Sequence, residues 1–174
     1  RGVGYLLNKP LASLGLSGTA VTDRAVAELS ASPKLRASLR ELWLNNGHLT
    51  DASLDDLRKM SDLRVLDIGN NNIASIDQKQ LIDYLKGSKL RALSIYHLQI
   101  DDAILPALES MPELKELNLR DTLVTDKGLS TFKPAHLRKL NLQRCEKISR
   151  DGVNLFKKNN PDCKDIEKDE PISL

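Results

Sequence analysis

The sequence predicts an α/β solenoid, a curved right-handed horseshoe with parallel strands on its concave face and short helices on its convex face. A Leu-x-x-Leu-x-Leu stretch returns every 23 to 28 residues. Each stretch is followed by a short oxygen-bearing side chain of the kind that caps helices, and then by apolar residues three or four positions apart. A single strand and helix cannot bury their apolar faces alone, so the repeats must stack on one another.

The strand of each repeat is predicted from the alternation in Leu-x-Leu. The two leucines point to one face and the residue between them points to the other, as in a strand with one buried side. The stretches are 11–16, 39–44, 63–68, 90–95, 114–119 and 137–142, and 160–167 matches them with Cys163 and Ile166 at leucine positions. Positions 14, 42, 66, 93, 117, 140 and 166 are expected to form one inward column.

A short helix is predicted after each strand. Apolar residues recur at helical spacing, for example Val26 with Leu29 and Leu105 with Leu108. The predicted caps are Thr22, Thr50, Asp77, Asp101, Thr125 and Ser149. The prolines expected to end helices are Pro33, Pro112, Pro134 and Pro161.

These units resemble the leucine-rich-repeat family over essentially the whole chain. Residues 63–73, LRVLDIGNNNI, carry the family's Leu-x-x-Leu-x-Leu-x-x-Asn-x-Ile pattern, with Asn71 at the asparagine position. Residues 124–132, VTDKGLSTF, and 145–156, CEKISRDGVNLF, resemble the cysteine-containing and bacterial T-D-x-G-L subtypes seen in F-box-type and secreted effector proteins. In the second unit Arg150 stands where that subtype usually has Asp. The resemblance implies a scaffold that binds protein.

Residues 1–174 are predicted to form a single leucine-rich-repeat domain with about seven strands. In the opening stretch RGVGYLL, residues 2–6 align with residues 128–132, and Leu11 then aligns with Leu137 without a gap, so this stretch resembles the helix of a repeat whose own strand is missing. We expect the chain to be a fragment of a longer solenoid. Residues 167–174, which are rich in charged side chains, are expected to form a polar carboxyl-terminal cap over the last strand edge.

Composition argues against several classes of function. The 26 Lys and Arg nearly balance the 24 Asp and Glu, which provides no basic surface for nucleic acid or anionic lipid, and no 18-residue apolar run could cross a membrane. Cys145 and Cys163 are too few for a disulfide framework and are expected in the core of a protein in a reducing, cytoplasmic compartment, of its own or a host cell. We expect no metal or cofactor, because no ligand spacing or phosphate loop is present.

The outward positions of the strands form the candidate site. Trp43, the single Trp of the chain, lies between two inward leucines, where the pattern demands solvent. This predicts a binding anchor, although an idle surface aromatic is the alternative. Tyr96 is expected two strands away, with Gly69 leaving a gap between the aromatics and Asp67 beside it. The predicted partner-binding residues are Glu41, Trp43, Asn45, Asp67, Tyr96, Asn118 and Arg120.

The predicted function is that of a non-catalytic, monomeric protein–protein interaction module that binds a protein partner on its concave face. The sequence does not identify this partner. Two narrower alternatives are the substrate-recognition arm of a ubiquitin-ligase-type receptor and a secreted bacterial effector. A remote third is an enzyme with a Cys nucleophile, Cys145 paired with His136, although the repeat pattern buries this thiol and no third group orients the histidine.

Overall fold

A computed structural model describes residues 3–75 and 77–169. Within these residues, seven short strands pair in parallel and in chain order to form one sheet. Each repeat adds one strand, and helical segments return the chain to the start of the next. The strands are β1 (Ser13–Gly15), β2 (Glu41–Trp43), β3 (Val65–Asp67), β4 (Ala92–Ser94), β5 (Glu116–Asn118), β6 (Lys139–Asn141) and β7 (Asp165–Glu167).

The central residue of each strand pairs with the central residue of the next strand without any offset. The leucines of this column are buried, and the isoleucine on β7 is half-buried. The column consists of Leu14, Leu42, Leu66, Leu93, Leu117, Leu140 and Ile166. The predicted inward column is thus confirmed, and the residues that flank it on each strand point to the concave face.

The helices carry the other half of the core on the convex side. Their inward residues, such as Val26, Leu29 and Leu108, are buried. They are α1 (Asp23–Ala31), α2 (Pro33–Ser38), α3 (Leu54–Lys59), α4 (Lys79–Leu85), α5 (Leu105–Glu109), α6 (Asp126–Thr131) and α7 (Arg150–Asn159), with 3-10 helices at Val3–Leu6, Asp51–Ser53 and Asp102–Ile104. No helix in the described ranges has the length and apolar character needed to cross a membrane.

Pro33 follows the end of one helix and also begins another. The sequence predicts it only as a stop, but the structure places it in the first turn of α2, where its missing N–H leaves no hydrogen bond unmade. The Ser32 hydroxyl caps this helix by accepting from the Leu35 N–H at 3.3 Å. The first repeat therefore contains two helices, which accounts for the 28 residues between Leu14 and Leu42.

Both ends of the described chain pack onto the solenoid. Val3 and Leu6, on a 3-10 helix, are buried in the core, in line with the helical segment expected there. At the other end, the Lys168 ammonium donates to the Cys145 carbonyl at 3.1 Å, and the Asp169 carboxylate accepts from the Arg144 N–H. Arg1, Gly2 and the rest of the predicted cap, 170–174, lie outside the described residues. That the chain is part of a longer solenoid stays a prediction.

Aspartates join the helix caps of successive repeats. Thr125 caps α6 by accepting from the Gly128 N–H at 3.3 Å, while its own N–H and hydroxyl donate to the Asp102 carboxylate of the preceding repeat at 2.8 and 2.6 Å. In the same way, the Asp23 carboxylate accepts from the Thr50 N–H and hydroxyl at 2.8 and 2.7 Å, and the Asp126 carboxylate accepts from the Ser149 N–H at 2.9 Å. The predicted caps Thr50, Asp77, Asp101, Thr125 and Ser149 each accept a backbone N–H, whereas the Thr22 side chain does not.

Glycine makes room for these aspartates. A Cβ added to Gly128 would overlap the Asp102 carboxylate, and a Cβ added to Gly152 would overlap that of Asp126. The glycine of the T-D-x-G-L pattern is therefore needed for close approach, because the aspartate of one repeat lies directly over the first helical turn of the next.

In several repeats, the side chain at the asparagine position makes hydrogen bonds to backbone groups. The Asn71 carboxamide accepts from the Leu49 N–H at 3.0 Å, and its amide group donates to carbonyls at the end of β3 and after β2. In later repeats the Thr122 hydroxyl and the Cys145 thiol both donate to the Leu119 carbonyl, at 2.8 and 3.0 Å. Shorter side chains thus replace the asparagine locally, without a continuous ladder.

A residue with positive φ ends the turn after each of the first six strands. It always lies four positions after the column residue, and its backbone is in the left-handed region that favours Gly, Asn and Asp. These residues are Gly18, Asn46, Asn70, His97, Asp121 and Arg144. Two contacts join these residues across repeats: the Asn70 amide donates to Asn46 Oδ1 at 2.7 Å, and His97 Nδ1 lies 2.8 Å from Asp121 Oδ2.

We expect Gly128→Ala to lower the free energy of unfolding by about 1–3 kcal/mol, because the new methyl group displaces Asp102 from the Thr125 N–H. Gly15→Ala is the matched control, since no atom lies within 4 Å of a Cβ added there. Urea denaturation measures both. Equal, small losses in the two variants would contradict the role assigned to Gly128.

Candidate functional site

Two columns of outward side chains cover the concave face. They flank the buried leucine column, so neighbours within a column are one strand apart, about 4.8 Å. The first column is Ser13, Glu41, Val65, Ala92, Glu116, Lys139 and Asp165, and the second is Gly15, Trp43, Asp67, Ser94, Asn118, Asn141 and Glu167. Glu41, Trp43, Asp67 and Asn118 of the predicted site therefore share one surface. The Trp43 indole is half-buried and remains accessible to solvent.

The middle of this face forms a depression of about 350 Å³. Its floor consists of short side chains on β3 and β4, including Val65, Ala92 and Ser94. Trp43 lines one side, and Asn118 lines the other together with residues of β6 and β7. The depression exists because the small residues of β3 and β4 lie between larger ones on the flanking strands.

Asp67 lines this depression, and its carboxylate is half-buried. The Gly69 N–H donates to Asp67 Oδ1 at 3.0 Å. Burial raises the pKa of Asp67, and hydrogen bonds from the Gly69 N–H and the Ser94 hydroxyl oppose this rise. In the described part of the chain, no Lys, Arg or His nitrogen lies within 4.0 Å of this carboxylate. Asp67 is thus a partly desolvated charge without a cationic partner.

The gap predicted beside Gly69 is absent. A Cβ added to Gly69 would overlap the ring of Tyr96, so this ring itself fills the space. The Tyr96 hydroxyl reaches further and accepts from the Asn45 amide at 3.1 Å. The prediction of a pocket between Trp43 and Tyr96 is therefore wrong. The Tyr96 ring packs on Gly69, just after β3, and leaves no space between itself and this glycine.

The predicted residues fall into two groups. Trp43, Asp67 and Asn118 line the depression. The other four lie outside its lining: Glu41, Asn45, Tyr96 and Arg120. Arg120 is exposed, and its N–H donates to Asn118 Oδ1 at 3.0 Å.

The sequence-based list omits several residues that line the depression. Glu116, Lys139 and Glu167 contribute charge there. The Lys139 ammonium lies 3.2 Å from Glu167 and 3.5 Å from Asp165, and these neighbours raise the pKa of Lys139. The repeat register already places all of these residues on the concave face. Their charge pattern is the signal that could have found them.

The two outward columns are predominantly acidic. Their charged members are the acids Glu41, Asp67, Glu116, Asp165 and Glu167 and the base Lys139. Because Lys139 already contacts two of these acids, its charge is locally compensated. The lining of the depression thus contains three acids, Asp67, Glu116 and Glu167, and one base, whereas the residue directly before each of β2 to β7 is basic.

The cysteines are poorly placed for covalent chemistry. Cys145 is fully buried, and its thiol donates to the Leu119 carbonyl. Cys163 is also buried, and burial raises its pKa to about 11. His136, the predicted partner of Cys145, is exposed. Among residues 3–75 and 77–169, no three His, Cys, Asp or Glu side chains are grouped to hold a metal ion.

Two family profiles match the chain. The profile described as "Leucine Rich repeats (2 copies)" matches residues 37–81, and the profile "Leucine Rich repeat" matches residues 111–133 and 133–156. Together these matches span about half of the chain. No curated protein matches the sequence.

Two solved structures have a similar backbone. Internalin C2 from Listeria monocytogenes is 28% identical, with a TM-score of 0.56, and the match covers 80% of this chain and 54% of that one. The chain thus spans about half the length of this internalin. The second, Rad7 in its complex with Elc1 from yeast, is 14% identical with a TM-score of 0.37, covering 93% of this chain and 71% of that one.

We expect Asp67→Asn to raise the free energy of unfolding at neutral pH. An Asn side chain keeps the hydrogen bond to the N–H two residues on, as Asn118 and Asn141 do at the same position, and it removes a partly buried charge. Because the folded-state pKa of Asp67 is raised, the wild type is less stable than Asp67→Asn by the full amount at pH values above that pKa. It disappears as the pH falls toward the unfolded value of about 4.

Urea denaturation of both proteins at several pH values between neutral and about 3.5 measures this difference, and comparing the two curves cancels the titration of other groups. A wild type that is more stable than Asp67→Asn at neutral pH would contradict the desolvation of Asp67.

Proposed function

Because the chain belongs to the leucine-rich-repeat family, whose domains are typically protein-binding modules, we propose that it binds a protein partner on its concave face, at the depression beside Trp43. The observation that carries this proposal is the half-buried Trp43 next to the unpaired Asp67, both held on paired strands. Interface hot spots are enriched in Trp, and desolvated charges at a surface gain most from a complementary partner.

The proposed mechanism is preorganisation. Trp43 and Asp67 belong to strands whose central leucines are buried and paired, so the positions of their backbones are set before a partner arrives. Asn118 and Asp67 are further restrained by hydrogen bonds from the N–H two residues on. Little conformational entropy is then lost on binding, which favours affinity.

A narrower form of this proposal is that the chain is the substrate-recognition arm of a ubiquitin-ligase-type receptor or of a secreted bacterial effector. Its support is the T-D-x-G-L unit at 125–129 and the likeness to an internalin that is about twice as long. Both forms use the same surface. Mass-spectrometric identification of the bound protein distinguishes them.

We expect Trp43→Ala to weaken partner binding by about 2 kcal/mol or more while leaving stability nearly unchanged, because the indole rests on the surface of the sheet. The measurement is affinity capture from the source cells with wild type and variant, followed by titration of the captured protein. Leu155→Ala, which truncates an exposed apolar side chain on α7 of the convex side, is the matched control.

Loss of one captured protein with Trp43→Ala, and its retention with Leu155→Ala, supports the proposal. Equal capture by wild type and Trp43→Ala, or loss with Leu155→Ala, would show that another surface is used. Unfolding of Trp43→Ala at much lower denaturant concentration would assign Trp43 to the core instead.

We also propose that neither cysteine acts as a catalytic nucleophile. We expect both thiols of the folded protein to react only slowly with a disulfide reagent at pH 8, since both are buried and the raised pKa of Cys163 leaves little thiolate. Both should react fast in denaturant. One thiol that reacts rapidly in the folded state would revive the nucleophile alternative.

A further inference from the structure

We infer that the depression beside Trp43 holds a basic side chain, Lys or Arg, of the protein partner, with Asp67 as its counter-ion and the indole of Trp43 as its cover. This inference rests on the proposed function and names the chemistry of its anchor. It depends on four features of the concave face, namely an uncompensated carboxylate, an adjacent aromatic ring, a floor of short side chains and the sign of the surrounding charge.

The first feature is the condition of Asp67. Other acids of the solenoid have clear roles: Asp102 binds the next helix cap, and Glu167 pairs with Lys139. Asp67 receives hydrogen bonds from neutral groups only and is half-buried. Among the later repeats, two carry Asn at the equivalent position, Asn118 and Asn141, and these make the same local hydrogen bond without a charge. Ser94 and Glu167 occupy this position in the other two. An Asn side chain therefore makes this hydrogen bond as Asp67 does, and the bond itself does not require the negative charge.

The second feature is the neighbour of Asp67. Trp43 and Asp67 are directly paired across β2 and β3, so their backbones are about 4.8 Å apart and both side chains project to the same side. A cation next to Asp67 can therefore also contact the indole, whose face attracts positive charge. Trp provides the strongest such attraction among the aromatic side chains.

The third feature is space. Trp43 and Asn118 are three strands apart, which is about 14 Å, and the strand between β3 and β5 carries only Ala92 and Ser94 outward. A long, flexible side chain can enter here and lay its aliphatic stem on Val65 and Ala92 while its charged end reaches Asp67.

The fourth feature is the surrounding charge. Glu116 lines the same depression, and the only cation on the two outward columns, Lys139, is held by Asp165 and Glu167. Within the depression, whose lining has three acids and one base, a basic side chain is therefore favoured over an anionic one.

The test uses the single Trp of the chain as the reporter. Blocked pentapeptides with a central Arg, Lys, citrulline or Glu between glycines are titrated against the whole chain, with Trp43 fluorescence as the readout. Titration to about 20 mM covers the millimolar dissociation constants of a single side-chain contact. We expect a saturable change with the Arg and Lys peptides, weakened by salt, and none with the citrulline and Glu peptides.

Two variants with the same change in net charge make the test specific. Asp67→Asn removes the proposed counter-ion and should weaken binding of the basic peptides about tenfold or more. Asp55→Asn removes an exposed acid from α3 on the convex side, outside the depression, and should change binding by less than about threefold.

No saturable change with either basic peptide, equal binding of Arg and citrulline peptides, or equal effects of the two variants would each overturn the inference. Failure here is distinguishable from failure of the proposed function. If Trp43→Ala loses the captured partner but Asp67→Asn keeps it at full affinity, the concave face binds protein without a basic anchor. If both variants keep the partner, the binding surface itself is wrong.

Discussion

The side chains of the two outward columns on the concave face take their places from the parallel pairing of the strands without offset. Side chains alternate along a strand, so a shift of one residue in a single pair would turn a central leucine outward and bury Trp43 or Asp67. Exposing a leucine such as Leu66, now fully buried, opposes this shift. The geometry of the site is therefore determined by the inward leucines more than by the outward side chains that would contact a partner.

Sequence patterns predict the position of each residue in its repeat far better than they predict side-chain contacts between repeats. The leucine column and the helix caps follow from local periodicity. Both are as expected apart from Thr22, which makes no cap bond, and Asp77, which lies one residue before Gln78, the N-cap of α4. The contacts of Tyr96 with Gly69 and of Asp102 with Gly128 join side chains of different repeats, and they depend on which rotamer fills which space. Composition alone contains no signal for such a choice. An alignment of the repeats does suggest it, since each glycine lies one repeat away from its partner.

Asp67 shows how a functional requirement can be distinguished from a structural one within a repeat protein. The repeats perform the same structural task several times, so Asn118 and Asn141 reveal which side chain suffices for the turn. A repeat that departs from this solution by adding a half-buried charge is expected to lose stability without improving the fold. Natural proteins tolerate such departures mainly where binding or activity demands them. The chain thus contains its own internal reference for judging each concave position.

The links between helix caps have a direction along the chain. Asp102 serves the helix of the following repeat, and Gly128, which accommodates it, also belongs to that repeat. A repeat grafted elsewhere without its successor would bring a carboxylate that lacks its N–H donors, and its successor would keep a glycine with an empty space above it. Exchange of modules in this solenoid should therefore keep residues 102–128 together, with the junctions inside the helical segments and not at the loops between repeats.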